Sequence, residues 1–268
     1  MQERIFSVSR VGALVAVLTA VIAPLSAAPA QILETETARP LRAGQLEVGA
    51  GYEVQHSREG DETAIPFAFE LGITNRLGLL VEPVPYTAIR PEVGQSATGP
   101  GDLEITASYL LRHESGRFPA IAVAAEEKVP TAHNNLIGTG KPDHAAYLIA
   151  SKRLGRFDTH ANVGYTIVGS PRGQALSNRI MGAVATEYTV TPTTLLYGEV
   201  LASTAAGGGE GVAATPGTPV APEVSGDEIF GTIGIAHSFM RGSRLSLGLT
   251  RDHVGAMQIR PGITLWFR

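Results

Sequence analysis

From residue 45 to its end, the chain alternates apolar and polar residues over many short stretches. In residues 243–251, SRLSLGLTR, three leucines (Leu245, Leu247 and Leu249) fall on one face, and polar or small residues fall on the other. Successive side chains of a β-strand point to opposite faces, so this pattern predicts strands with an apolar environment on one side only.

Twelve stretches of this kind are predicted as strands. Each is close to the length of about 9–11 residues with which a tilted strand crosses a bilayer. In lipid every backbone polar group needs a partner, which leaves helices and closed barrels as the spanning structures. The pattern therefore predicts an all-β fold, a transmembrane antiparallel β-barrel of about 12 strands. The predicted strands are 45–54, 64–73, 77–86, 101–112, 118–128, 143–153, 157–168, 177–189, 193–203, 228–238, 243–252 and 258–267.

The connections between these strands alternate in length, apart from residues 253–257. Such barrels have short periplasmic turns and longer extracellular loops, so both termini are expected in the periplasm. Residues 204–227 are rich in Gly, Ala, Pro and Thr and predict a flexible extracellular loop. The short connections are 74–76, 113–117, 154–156, 190–192 and 239–242; the long or intermediate ones are 55–63, 87–100, 129–142, 169–176 and 204–227.

Residues 1–30 have the pattern of a secretory signal peptide. Arg4 and Arg10 supply the positive charge, an apolar stretch follows, and Ala28-Pro29-Ala30 fits a cleavage site. An uncleaved membrane helix is the alternative, but the apolar stretch is short for one. Residues 31–44 are predicted as a periplasmic lead-in too small to form a folded plug, and residues 45–268 as the barrel. These features place the protein in the outer membrane of a Gram-negative bacterium.

The composition limits the kinds of partner that the protein is expected to bind. The net charge is −4, without a basic stripe, which argues against nucleic acid, and the absence of cysteine excludes disulfides. The expected partners are outer-membrane lipid, a small-molecule solute and the outer-membrane assembly machinery. The last strand suits that machinery because it ends in an aromatic residue, Phe267, although Arg268 follows it.

A charged side chain costs free energy on a lipid-facing surface. The face of each strand on which the charged residues fall is therefore assigned to the lumen. The lumen-facing selectivity candidates are Glu70, Glu82, Asp102, Glu104, Arg112, Glu126, Lys128, Glu187, Glu199 and Arg260. Carboxylates outnumber bases in this set, which predicts a solute path that favours cations or polar groups. The alternative is an ion-paired network that holds a narrow barrel shut. A barrel of eight strands is filled by its own side chains, and one of sixteen leaves an open channel. The lumen of a twelve-stranded barrel is expected to have an intermediate width.

No pattern predicts catalysis or a metal. A Ser–His–acid set can be drawn among the seven histidines, but no spacing selects one. His133 and His144 flank one long loop without a third ligand. GTGKPDH (138–144) departs from a phosphate-binding loop, because Asn135 occupies the position of the required first glycine and Pro142 replaces the Ser/Thr. We therefore expect a channel without enzyme activity, cofactor or metal. The alternatives are an outer-membrane enzyme acting on lipid (a lipase or a lipid A-modifying enzyme) and a closed structural or adhesion barrel.

The middle of the chain resembles a known family. GPGDLEITASYLL (99–111), PAIAVAAEEKVPT (119–131) and the stretch 138–169 resemble the transporter-like family associated with the meta-pathway of phenol degradation. The resemblance spans residues 99–170. It implies an outer-membrane barrel that moves small hydrophobic or aromatic compounds, and it carries over no catalytic residue. The matching motifs are Val129-Pro130-Thr131, then Ser151, Lys152, Leu154 and Gly155 of SK-x-L-G, then His160, Asn162, Gly164 and Tyr165 of H-x-N-x-G-Y.

Overall fold

The computed structural model of the chain describes residues 33–173, 176–206 and 228–267. The predicted signal peptide, most of the predicted loop 204–227 and Arg268 lie outside the described residues. Within these three ranges, no helix is long and apolar enough to cross a membrane.

Twelve antiparallel strands form a closed barrel in the described part of the chain. They consist of sixteen segments: β1 Leu46–Gly51, β2 Glu53–His56, β3 Gly60–Ile65, β4 Phe67–Gly72, β5 Leu77–Pro83, β6 Tyr86–Pro91, β7 Ala97–Gly99, β8 Leu103–Arg112, β9 Ala120–Val129, β10 Asp143–Leu154, β11 Phe157–Ile167, β12 Arg179–Thr191, β13 Thr194–Ser203, β14 Glu228–Met240, β15 Ser243–Asp252 and β16 Met257–Phe267.

The segments make twelve strands because each of the first four strands is interrupted once. Those four strands are β1 with β2, β3 with β4, β5 with β6, and β7 with β8. Each strand pairs with the next along the chain, and β1 also pairs with β16, which closes the ring. The predicted fold class is confirmed.

The outside of the barrel is apolar and the inside is polar. Val163 is 61% exposed, whereas its neighbour Asn162 is 2% exposed; Val200 and Glu199 form a similar pair at 59% and 4%. A protein that folds in water buries its large apolar side chains instead. A closed sheet with this inversion has the surface expected where hydrocarbon, not water, surrounds the strands.

The two ends of the barrel differ in their connections. The end at which β1 begins and β16 ends carries connections of two to seven residues, and we call it the turn end. The opposite end, the loop end, carries the long segment 130–142 between β9 and β10. Residues 55–63 and 87–100 are predicted as loops. This prediction is wrong for most of their length, because β3, β6 and β7 extend the hairpins there.

One predicted orientation is also wrong. Arg112 was expected to face the lumen, but the register between β8 and β9 shifts at Leu110 and Arg112, where a β-bulge inserts one residue. A bulge reverses the face on which the next side chain lies. Arg112 pairs with Ile121, is exposed, and stacks its guanidinium 4.2 Å from the ring centroid of Phe118.

Candidate functional site

The lumen contains a piece of the chain itself. Residues 33–43, which we call the lumen segment, run along the inside of the barrel before β1 begins at Leu46. Thr35 is 2% exposed and Ala38 is fully buried. The prediction of a periplasmic lead-in is therefore wrong for these residues, since inward-facing side chains of several strands bind them.

Glu199 on β13 binds the first part of the lumen segment. Its carboxylate accepts hydrogen bonds from the backbone N–H of Thr35 at 2.7 Å and of Glu34 at 3.2 Å, and also from the Thr35 hydroxyl. Leu33 packs beside these contacts against inward-facing Tyr197 and Ala236. The loop-end part of the segment is thus held by one carboxylate and a small apolar cluster.

The middle of the lumen segment lies against β10 and β11. Ser151 accepts a hydrogen bond from the backbone N–H of Ala38 at 2.8 Å. The side-chain amide of Asn162 pairs with the backbone of Glu36, accepting from its N–H at 2.6 Å and donating to its carbonyl at 3.0 Å. These wall side chains satisfy backbone groups that would otherwise be buried without partners.

Ion pairs hold the turn-end part of the segment. The guanidinium of Arg39 donates to both carboxylate oxygens of Asp158, at 2.9 and 3.1 Å, and to Glu114 at 2.9 Å. Lys152 and Arg153 bind the same two carboxylates from the wall. Glu114 lies in the connection between β8 and β9. Burial by itself raises the pKa of Glu114, but hydrogen bonds from Lys152, Arg39 and the Arg153 backbone outweigh it and lower the pKa to about 2.

Small wall residues make room for the lumen segment. Ala38 packs against Leu110 and Ile149 and against a row of inward-facing alanines on β9. At the turn end, a Cβ on Gly72 would lie 2.2 Å from the carbonyl oxygen of Arg42, closer than any side chain tolerates. The row consists of Ala120, Ala122 and Ala124.

A cavity lies on each side of the lumen segment. The cavity towards the loop end has a volume of about 250 Å³, and its charged lining residues are six carboxylates and two bases. The cavity at the turn end has a volume of about 710 Å³ and is lined by Arg39, Arg42, His113 and Glu114 among others. The two cavities share no lining residue. The charged residues of the first are Glu34, Glu53, Glu62, Glu82, Asp102, Glu104, Lys128 and Arg260.

The predicted selectivity residues divide between these surroundings. Glu82 and Glu104 are cross-strand neighbours that line the loop-end cavity. Arg260 binds Glu53 at 2.7 Å and Glu34 of the lumen segment at 2.9 Å. Four further members face inward but have other neighbours: Glu70 lies near Glu47, Glu126 accepts from Tyr147, Glu187 lies near Arg244, and Glu199 binds the lumen segment.

Two of the candidates fix a loop at the cavity mouth. Asp102 accepts a hydrogen bond from the backbone N–H of Ala132 at 2.9 Å, and Thr131 donates to the Gly101 carbonyl at 2.9 Å. Lys128 bridges to Asp143 at 2.8 Å and reaches Asp102 at 3.9 Å. The G-P-G-D and V-P-T motifs therefore bind each other.

A Ser–His–Asp set, which the sequence did not single out, lies under the lumen segment. Ser151 and His160 are cross-strand partners, with Oγ 2.8 Å from Nδ1, and Asp158 lies 3.9 Å from Nε2. The Ser151 oxygen already accepts from the Ala38 N–H, and Asp158 is bound to two arginines. A nucleophile needs a free oxygen and a base oriented by its acid, so this set positions the lumen segment instead.

Comparison with known proteins supports the fold. No family model matches the sequence, and no curated protein matches it. Among solved structures, the chain is similar to the KdgM porin in complex with disordered oligogalacturonate, at 11% identity with a TM-score of 0.53 over 83% of this chain and 99% of that one. It is also similar to the NanC porin, at 8% identity with a TM-score of 0.55 over 82% of this chain and 98% of that one. At such identities the likeness shows a shared barrel fold.

Proposed function

We propose that this protein is an outer-membrane channel through which a Gram-negative bacterium takes up small solutes. The observation that carries the proposal is the closed barrel, whose outside is apolar and whose lumen is lined by charged and polar side chains. Lipid accommodates such a cylinder only with the charges inside. The exposed Phe267 at the end of β16 suits recognition by the outer-membrane assembly machinery.

The solute class follows from the loop-end cavity. Six carboxylates against two bases attract cations and repel anions before a solute reaches the lumen segment. Oligogalacturonate, the ligand named for the KdgM structure, is a polyanion and does not suit this lining. Apolar side chains of Leu33, Val84 and Ile137 share the cavity. Small cationic and neutral solutes, including hydrophobic or aromatic ones, therefore fit best.

Ion selectivity in a planar bilayer tests this proposal. With a KCl gradient across the membrane, the reversal potential should show a preference for K⁺. Glu82 lines the loop-end cavity, whereas Glu127 faces outward on β9 and pairs with His144. Glu82→Gln should reduce the cation preference, and the control Glu127→Gln should leave it unchanged, because only the first removes a charge from the path.

Two results would contradict the proposal. One is an anion preference, and the other is a bilayer that stays silent even when residues 33–39 are replaced by a Gly/Ser sequence of the same length. Silence in that variant favours a closed structural barrel. An enzyme acting on lipid would instead show lipase or deacylase activity without conductance.

A further inference from the structure

The lumen segment is in the barrel but is not part of the sheet. Between Leu33 and Arg39, hydrogen bonds to the wall come from side chains and not from a strand ladder. A ladder strand cannot leave without breaking two rows of backbone bonds. The lumen segment is held by a few separate contacts, so its removal leaves the barrel walls paired.

Electrostatic contacts act in opposite directions along the segment. Arg39 is attracted to Asp158 and Glu114 at the turn end. Glu36 lies nearer the loop end, where the carboxylates of Glu70 and Glu126 on the wall repel it. Glu34 and Glu199 add to that repulsion, although Glu34 itself pairs with Arg260 at 2.9 Å. Arg39 makes three hydrogen bonds to two carboxylates, so the bound position depends on Arg39 more than on any other single side chain of the segment.

Residues of the H-x-N-x-G-Y stretch form the site that receives the segment. His160 binds Ser151, which binds the Ala38 N–H, and Asn162 pairs with the backbone of Glu36. A Cβ on Gly164 would lie 2.5 Å from the ring of Tyr147, a residue that packs against the Ala38 cluster. A motif without a role in catalysis or in the solute path thus builds a binding site for the chain's own residues.

We propose that residues 33–43 are a displaceable plug, bound in the closed state of the channel by Arg39 and released towards the turn end about Gly44. Gly44 has a φ of 79°, and no atom lies within 4 Å of a Cβ placed there, so the chain has space to turn at this point. The inference rests on the proposed channel function. It assigns the lumen a closed state in which the segment separates the two cavities and an open state in which they join.

A disulfide that holds the segment in place tests the proposal. The hydroxyl oxygens of Thr37 and Ser151 are 3.4 Å apart, and the chain has no cysteine. The double variant Thr37→Cys/Ser151→Cys should therefore form a single disulfide when oxidised. In planar bilayers, the oxidised form should conduct at most roughly one tenth as much as the reduced form, since a tethered segment cannot populate the open state. Reductant should restore the current.

The matched control is a disulfide that joins two wall strands. Thr232 on β14 and Thr250 on β15 are cross-strand partners with hydroxyl oxygens 2.9 Å apart, and no hydrogen bond joins either of them to residues 33–43. Thr232→Cys/Thr250→Cys should conduct equally in both redox states. Equal conductance of oxidised and reduced Thr37→Cys/Ser151→Cys, with the disulfide verified by mass, would overturn the plug.

A second variant tests the role of Arg39 without a cross-link. Arg39→Gln should raise the open fraction roughly tenfold, the factor that corresponds to about 1.4 kcal/mol of lost binding. An unchanged open fraction would overturn the assignment of Arg39 as the main contact. Failure of the plug remains distinct from failure of the channel. If the variant with residues 33–39 replaced conducts but the disulfide of Thr37→Cys/Ser151→Cys has no effect, only the plug is rejected. If that variant is silent, the channel itself is rejected.

Discussion

The two halves of the lumen use charge in different ways. At the turn end, Arg39, Lys152 and Arg153 share two carboxylates, Asp158 and Glu114, in direct ion pairs. At the loop end, six carboxylates line a cavity with two bases. Paired charges fix a structure, because each side chain is held by its partners. Carboxylates in excess of bases leave a field that acts on whatever enters.

Lumen-facing charge alone therefore does not identify a solute path. Glu199 and Glu82 are both glutamates, and the alternation of the sequence assigns both of them to the lumen face of their strands. Glu199 binds the backbone of the lumen segment, whereas Glu82 lines the open cavity beside Glu104. The first residue therefore acts on the closed state and the second on the passing solute.

Removing one carboxylate from each half should give the largest contrast. Asp158→Asn removes the negative charge that Arg39 and Arg153 share. The two arginine side chains are 22% and 36% exposed, so the loss should be about 3 kcal/mol, the lower end of the cost of breaking a fully buried pair. Glu82→Gln removes a carboxylate that is buried beside the like-charged Glu104, an unfavourable place for a charge, so it should cost no stability. Equilibrium unfolding in urea, with the protein in detergent, measures both. Equal losses would contradict the division of the lumen into two halves.

Glu114→Gln should give an intermediate effect that depends on pH. The pKa of Glu114 in the fold is about 2, below its ordinary value of 4.5. Its charge therefore stabilises the fold above pH 4.5, and this contribution is lost as the pH falls from 4.5 to 2. The variant should be less stable by about 1.5–3 kcal/mol at pH 7, the range for hydrogen bonds to a charged group, and equal to the parent near pH 2. Thermal unfolding at several pH values measures this, and a constant difference would exclude the ion pairs as its cause.

Two glycines on neighbouring strands should give the smallest contrast. Gly164→Ala forces a Cβ to within 2.5 Å of the Tyr147 ring, whereas Gly182→Ala places one in open space. The first should cost about 1–2 kcal/mol by overpacking and loosen the lumen segment. The second should be neutral or slightly stabilising. Unfolding free energies measure the pair; equal values would show that Tyr147 yields freely and does not help to position the segment.

The barrel could be predicted because lipid imposes a simple rule on its outside. One face of each strand had to be apolar, and the exposed side chains of Leu148, Val163 and Ile233 follow that rule. The rule failed for Arg112, because a bulge changes the face of the strand on which a residue lies without any change in residue type. The strand extensions at residues 60–63 and 87–91 were not predicted because, beyond the bilayer, water on both sides requires no alternation.

The lumen segment could not be predicted from the same rule. A polar inward face is compatible with water, with ion pairs or with another stretch of the chain, and Ser151, His160 and Asn162 look alike in all three cases. The available signal was size rather than polarity. Three inward alanines follow one another on β9, and they provide the space into which Ala38 packs. Such a row of small residues in a charged lumen indicates an internal occupant.

Fluorescence quenching by brominated lipid tests whether lipid surrounds the barrel while the solute path and the plug lie inside it. The cysteine-free chain allows single labels at Val163→Cys on the outside and Glu104→Cys in the loop-end cavity. We expect bromine on the acyl chains to quench the first label strongly and the second hardly at all, and aqueous caesium, a cationic quencher that the cavity should admit, to do the reverse. Equal quenching of both labels by lipid, or quenching of Glu104→Cys alone, would contradict the account.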